Sequence, residues 1–311
     1  MGTRQDDGAN VYGFAKSLTF GRFLPLTRTA SRDSMLTVSA DKPQRTHVAA
    51  ALLALVAALL CRTWLQITLE STGIHRTLAA DLSYGVVPPI LAILLLPVLR
   101  ADRAFIRTLF AFKRVSWQLI IVAVVIGLLL RVAWWSQLIA RISFGWQSSS
   151  DPSAIAGPFA KFACPPTASM VVGIVVAAVL IPLIEELVHR GYVQTRLHAR
   201  GPVLAIAVAT LLFVVFHRTS GWGLALAGGA VLGTMYWVSG SLWPSIVTHS
   251  VVNLEPQITW RCLNLHWNPA PDTLPLWSAG VPATLVFCAS AGLVAWLVLA
   301  KCGRREGIPA P

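Results

Sequence analysis

Three short polar motifs interrupt apolar stretches in the second half of the chain. The first has Glu185, Glu186 and Arg190, the second ends at His217, and the third has His249 and Asn253. A carboxylate and an imidazole can together take a proton from water, and N–H groups can stabilise a developing oxyanion. These residue types therefore suit the hydrolysis of an amide bond without a metal ion or a nucleophilic serine.

The spacing inside the motifs gives the side chains different tasks on a helix. Glu186 and Arg190 are four residues apart with the glutamate first, which is the favourable order for a helical ion pair. Arg190 can therefore hold one carboxylate while Glu185 stays available for chemistry. His249 and Asn253 have the same spacing and share one helical face, where both can donate hydrogen bonds to an oxyanion.

The three motifs are also predicted to lie at one depth. Gly201, which precedes a proline, marks a break between two apolar runs. Glu185 lies 16 residues before Gly201 and His217 lies 16 residues after it. In an antiparallel hairpin both stand roughly 24 Å from the turn, at about 1.5 Å per residue. His249 follows the next turn, at 239–241, and reaches a similar depth if the end of the hairpin projects from the membrane.

Other hydrolytic mechanisms find less support in the sequence. It contains neither an H-E-x-x-H zinc motif nor a G-x-S-x-G nucleophile elbow, and no Asp falls inside a predicted span. One alternative stays open, because Glu, His and Asn side chains can also ligate zinc with an open position for water. The residues themselves favour a site without a cofactor.

The motifs must be positioned by membrane helices. Among 311 residues, 55% are hydrophobic and only 12% are charged, too few charges to cover a soluble domain. A helix needs about 20 apolar residues to cross a bilayer. The predicted spans are 47–69, 82–99, 116–136, 168–189, 202–218, 222–239, 243–259 and 277–300. The predicted fold class is therefore all-α, a polytopic membrane protein with about eight transmembrane helices.

The charge distribution predicts the orientation of these helices. The chain has 25 Lys and Arg against 13 Asp and Glu, a net charge of +12. Basic residues concentrate in the N-terminal tail, in 100–114, in 190–200 and at the C-terminus. With eight spans these segments share one side, which the positive-inside rule makes the cytoplasm. We interpret the charge as a topology signal with both termini inside, and not as a nucleic-acid-binding surface.

These features divide the chain into four regions. Residues 1–46 are predicted to form a polar, basic cytoplasmic tail, and 47–167 the first three transmembrane helices with an outer loop. Residues 168–260 carry the motifs and form the predicted catalytic core, and 261–311 hold an outer loop, the last helix and a basic tail. Cys164 and Cys262 both fall in predicted outer loops, where a disulfide can persist.

The ordered set of motifs resembles the CAAX-protease and bacteriocin-processing (CPBP, or Abi) family of glutamic intramembrane endopeptidases. The resemblance covers about 168–256, and the first three spans and the last span lie outside it. Each motif alone is weak, and their order on apolar helices makes the signal specific. One departure is His189, where the family usually has an aromatic residue. Glu255, just past the third motif, is predicted to be interfacial.

The resemblance implies a role for each motif residue. Glu185 and His217 would hold and activate the attacking water. His249 and Asn253 would form the oxyanion site. The supporting residues would be Glu186, Arg190 and Phe213.

The resemblance also implies the kind of partner. The expected substrate is a membrane-associated protein or peptide, such as a C-terminally anchored or lipidated one, in contact with the lipid bilayer. The compact chain and the positive-inside charge pattern are typical of a protein of the bacterial cytoplasmic (inner) membrane. Two other readings stay open: a non-catalytic scaffold or bacteriocin-immunity partner that binds a peptide helix, and a transporter with a proton-coupling glutamate pair. A transporter has less support because the two halves show no internal repeat.

Overall fold

The chain is all-helical wherever its structure is described. A computed structural model describes residues 45–74, 76–112, 115–146, 167–217, 222–258 and 276–302, and these ranges contain helices and turns but no strand. The predicted all-α class is thereby confirmed for this part of the chain. Cys164, Cys262 and most of the predicted N-terminal tail lie outside the described residues.

Ten helices follow one another along the described ranges. The first five are α1 (Arg45–Ser71), α2 (Arg76–Gly85), α3 (Val87–Ala101), α4 (Arg103–Leu109) and α5 (Trp117–Ser143). The next helix, α6, covers 167–200 and is built from Thr167–Val175, Val176–Leu180, Ile181–Glu186, Leu187–Gln194, Thr195–Leu197 and His198–Arg200. The last four are α7 (Pro202–Val215), α8 (Trp222–Ser239), α9 (Trp243–Leu254) and α10 (Val281–Cys302).

Five of the helical segments are long and apolar enough to cross a membrane. They are Thr46–Ser71, Leu78–Ala101, Trp117–Ser143, Met170–Arg200 and Leu276–Val298. Large apolar side chains on them face outward, such as Leu53 at 68% and Ile93 at 70% exposure, as expected for contact with lipid. Together with the family comparison given below, these helices identify an integral membrane protein.

The predicted number of eight spans is not confirmed. Each predicted run is helical over most of its described length, but three of the helices are short. Pro202–Val215 has 14 residues, Trp222–Ser239 has 18 and Trp243–Leu254 has 12. These three helices carry or flank the second and third motifs. The helices around these motifs are therefore shorter than the roughly 20 residues expected of a membrane-spanning helix.

Two glycines set the turns that bring the motifs together. Gly201 ends α6 with φ of 92° and Gly240 follows α8 with φ of 64°, a left-handed conformation that glycine adopts without steric penalty. Each turn is followed by a helix with proline in its first turn, Pro202 in α7 and Pro244 in α9. The chain therefore reverses at both points, and the second and third motifs fold back against the first.

A buried apolar cluster supports the first motif from behind. Leu55 of α1 and Leu91 of α3 pack with Val188 and Tyr192 of α6, and all four side chains are at most 2% exposed. The helices α1 and α3, which lie outside the motif region, thus pack against α6 and hold it in place.

Candidate active site

The helix that carries the first motif departs from regular α geometry. The segments Val176–Leu180 and Leu187–Gln194 are π-helical, with the two glutamates at the end of the α-helical stretch between them. A π-helical turn widens the backbone and is common at functional sites. Here it lets consecutive residues of the motif face the interior, because every side chain from Leu187 to Gln194 is buried.

Glu186 lies at the centre of a buried charge cluster. Its Oε1 accepts a hydrogen bond from Arg190 Nη1 at 3.2 Å and lies 2.9 Å from His249 Nδ1. Arg190 also donates from Nη2 to the carbonyl oxygen of Gly229 at 3.1 Å. Both Glu186 and Arg190 are 0% exposed. The i,i+4 ion pair predicted from the sequence is therefore present, and it connects the first motif to α8 and α9.

His249 bridges the two glutamates. While Nδ1 faces Glu186, Nε2 lies 3.8 Å from Glu185 Oε2. The Glu185 side chain is 17% exposed and that of Glu186 is 0% exposed. Glu185 is therefore the carboxylate that a water molecule or a substrate can approach, and Glu186 is the one that orients the imidazole.

The Phe213 ring connects the motifs. Its centroid lies 4.3 Å from that of His217, 5.5 Å from that of His249 and 5.3 Å from that of His189. The guanidinium carbon of Arg190 stands 4.6 Å from the same centroid, within cation–π range. Side chains of all three motifs thus surround a single aromatic residue that is itself 3% exposed.

Backbone carbonyls orient two of the histidines. His217 Nδ1 lies 2.8 Å from the carbonyl oxygen of Phe213, and His189 Nδ1 lies 2.8 Å from that of Glu185. A neutral imidazole that donates from Nδ1 carries its lone pair on Nε2. The carbonyl of Phe213 thereby fixes the orientation of the His217 ring. His189 thus contacts the backbone of Glu185 through Nδ1.

Asn253 joins the third motif to the helix of the first. Its Nδ2 donates to the carbonyl oxygen of Ala177, in the first π-helical segment, at 3.0 Å. An amide group has two N–H donors, so one remains for a ligand. The residue predicted to stabilise an oxyanion therefore also fixes the position of α9.

Glu255 forms an ion pair with Arg131 of α5, and their side chains are 24% and 9% exposed. The predicted interfacial position of Glu255 stays a prediction. Sequence reasoning gave Arg131 no role, although a signal was available. An ionisable residue within an apolar membrane segment is costly, and Arg131 lies inside the third predicted span, five residues before its end.

Gly229 allows α7 and α8 to approach closely beside the site. A Cβ atom at Gly229 would stand 2.9 Å from Thr210 Cγ2 and 3.4 Å from Phe213 Cδ1, whereas at Gly228 nothing lies within 4 Å. We expect Gly229→Ala to lower the free energy of unfolding by about 1–3 kcal/mol through overpacking. The measurement is denaturant unfolding of the purified protein in detergent.

The neighbouring glycine is the matched control for this prediction. Gly228→Ala should leave the free energy of unfolding unchanged or raise it by about 1 kcal/mol, because alanine is the better helix former. Equal behaviour of the two variants would show that the close approach at Gly229 does not contribute to stability.

The described residues contain no group of three or more His, Cys, Asp or Glu side chains arranged to hold a metal ion. The arrangement instead combines one accessible carboxylate, one buried ion pair and imidazoles whose ring nitrogens are individually oriented. Such a set can move protons between water and a bound amide.

Comparison with known proteins supports the motif-based resemblance. A family model described as type II CAAX prenyl endopeptidase Rce1-like matches residues 167–254, which include all three motifs. The resemblance to the CPBP family is thereby confirmed for this segment, which is similar to CAAX endopeptidases. No curated protein and no solved structure matches the chain significantly.

Proposed function

We propose that the protein is an intramembrane endopeptidase of the glutamic type. In this proposal it hydrolyses a peptide bond of a membrane-associated substrate with water activated by Glu185 and His217. The observation that supports it most is the buried His249 ring, which links the accessible Glu185 to the Glu186–Arg190 ion pair. The family match supports a protease in the same segment.

The proposed reaction begins with the attacking water. Glu185 takes a proton from this water while His217 Nε2 orients it, and the oxygen then attacks the carbonyl carbon of the substrate. Glu185 next passes the proton to the nitrogen of the leaving amine, so that the C–N bond breaks and the carboxylate and amine are released. One carboxyl group thus serves as base and then as acid.

The oxyanion would be stabilised by donors from the third motif. Asn253 supplies the Nδ2 hydrogen that does not bond Ala177. His249 donates from Nδ1 to Glu186, so a second donor at Nε2 requires the protonated imidazole. Two carboxylates flank this ring, and the Arg190 guanidinium adjoins one of them. Supporting roles fall to Glu186, Arg190 and Phe213, which hold His249 and His217 in place.

The proposed setting is a bacterial cytoplasmic membrane with both termini inside, and it retains about eight membrane-embedded helices. The basic segments 100–114 and 190–200 support this orientation. The proposed partners are the lipid bilayer and a protein or peptide substrate that is C-terminally anchored or lipidated. Nucleic acid is not among the proposed partners.

Reconstitution tests the proposal. The purified protein in liposomes is given a farnesylated peptide that ends in a CaaX sequence and, in parallel, a peptide with a C-terminal membrane anchor. Mass spectrometry should detect cleavage of at least one of them. Binding of either peptide without cleavage would favour a scaffold or immunity partner.

The proposed mechanism uses no metal ion. We therefore expect dialysis against a strong chelator to change the turnover number by less than about twofold. A zinc endopeptidase reconstituted in the same liposomes is the control and should lose its activity, because catalytic zinc activates the attacking water. Loss of activity that zinc restores would contradict the metal-free mechanism.

A further inference from the structure

The ion pair between Arg131 and Glu255 lies where α5 passes the end of the third motif. Arg131 is 7% exposed, and its guanidinium carbon stands 4.6 Å from the Trp134 ring centroid. Glu255 opens the short helical turn that directly follows α9, two residues after Asn253. Arg131 lies outside the segment that matches the family model, and so does Glu255.

One helical turn before this ion pair, α5 and α9 are in close contact. A Cβ atom at Gly127 would stand 2.8 Å from Val251 Cβ and 2.9 Å from the carbonyl oxygen of Thr248. The Thr248 hydroxyl donates to the carbonyl oxygen of Ala123 at 2.9 Å. The register of α9 against α5 is therefore fixed on both sides of His249.

The C-terminal end of α9 also contacts α6, on the side that faces away from α5. Asn253 donates to Ala177, and a Cβ atom at Gly173 would stand 3.7 Å from Gln257 Cβ. The residues after His249 thus lie between α5 and α6. The Arg131–Glu255 pair is the charged contact on the α5 side.

We propose that Arg131 and Glu255 are positioning residues that fix the depth and rotation of Asn253 through the ion pair. This inference rests on the proposed function, because the amide of Asn253 has to face the developing oxyanion. A displacement of about 1 Å can lower a catalytic rate about a hundredfold. Loss of the pair should therefore lower kcat more than it raises KM.

The simpler alternative is that the pair only stabilises the fold. Removing one partner strands a buried charge, whereas replacing both by apolar residues often preserves stability. The double variant Arg131→Met with Glu255→Met separates these two roles. We expect it to unfold near the wild-type temperature and to show a kcat about ten- to a hundredfold lower, with KM within about twofold.

Conservative and matched variants complete the kinetic test. Arg131→Lys keeps a positive charge within reach of Glu255 and should retain more of the kcat than Arg131→Gln. Arg141→Gln, at an exposed arginine of the same helix, should leave kcat unchanged. A folded double variant with wild-type kcat would overturn the inference.

A disulfide measurement tests the positioning without any enzymatic activity. Cysteines are introduced as Gly173→Cys and Gln257→Cys in a background without the native cysteines, since the Cβ separation suits a disulfide. Mild oxidation should link them rapidly in the full-length protein in liposomes, and several times more slowly once Arg131→Met and Glu255→Met are added.

The two readouts distinguish the failure of this inference from that of the proposed function. An unchanged cross-linking rate would overturn the positioning role whatever the activity. Slower cross-linking in a protein that cleaves neither test peptide would support the positioning role while contradicting the proposed protease.

Discussion

Glu185→Gln is expected to lower the turnover number by about 10²–10⁴-fold, the usual contribution of a general acid–base group. Glutamine nearly matches glutamate in size but cannot accept and return the proton of the attacking water. Because Glu185 is the more exposed of the two glutamates, the variant should fold and bind the substrate peptide like the wild type. The measurement is single-turnover cleavage of the peptide in liposomes, with KM determined alongside.

Glu70→Gln is the matched control for this substitution. Glu70 lies near the end of α1 and its carboxylate accepts a hydrogen bond from Gln66, far along the chain from the motifs. Its removal should leave the turnover number within about twofold of the wild type, well below the effect expected at a catalytic group. Equal rates in wild type and Glu185→Gln would contradict the assigned role.

Arg190→Met is expected to have the largest effect on stability. The substitution removes a guanidinium that is 0% exposed, and it leaves the Glu186 carboxylate buried without its ion-pair partner. Stranding one charge of a buried pair typically costs about 3–5 kcal/mol. Arg190→Lys should recover only part of this loss, because an ammonium group cannot bond Glu186 and Gly229 simultaneously in the same planar geometry while stacking on Phe213.

The measurement is the free energy of unfolding in detergent. The control is Arg200→Met, at an exposed arginine at the end of the same helix, which should change it by less than about 0.5 kcal/mol. Adding Glu186→Leu to Arg190→Met should restore part of the stability, because no buried charge is then left alone. Activity should stay low, since His249 loses the carboxylate that orients it. Wild-type stability of Arg190→Met alone would contradict the buried ion pair.

Local spacing was enough to predict the centre of the site. The 186–190 pair, the order of the motifs and the shared depth of His217 and the glutamates follow from helical periodicity and from the break at Gly201. The Glu186–Arg190 ion pair agrees with the first of these predictions, and Phe213 of α7 contacts His189 of α6 and His249 of α9. Such features depend on one helix or one hairpin, so the sequence alone carries them.

Features that depend on long-range packing were not predictable in the same way. The π-helical segments of α6 were not predicted, because π-helical turns are rare and no local pattern in the sequence indicates them. The pairing of Glu255 with Arg131 joins residues 124 positions apart, and the sequence offered no local pattern that links them. Helix lengths were also misjudged, because apolar runs such as 202–218 continue beyond the point where the helix ends at Val215.

The orientation of individual ring nitrogens also needed the structure. His189 departs from the aromatic residue usual in the family, and the structure shows that its Nδ1 bonds the backbone carbonyl of Glu185. His249 was assigned to the oxyanion, and its Nδ1 contact with Glu186 shows that the imidazole has a second task. These details are set by how α6, α7 and α9 meet, which periodicity leaves open.

The most direct test of a water-activated mechanism is a single turnover in ¹⁸O-labelled water, with protein in excess over the test peptide. Direct attack by water predicts that one ¹⁸O atom enters the new carboxyl group of the peptide product. It also predicts that the Glu185 carboxylate, examined by mass spectrometry after digestion, stays unlabelled. Transfer of ¹⁸O into Glu185 would instead reveal an anhydride intermediate, with the carboxylate as nucleophile, and would contradict the account.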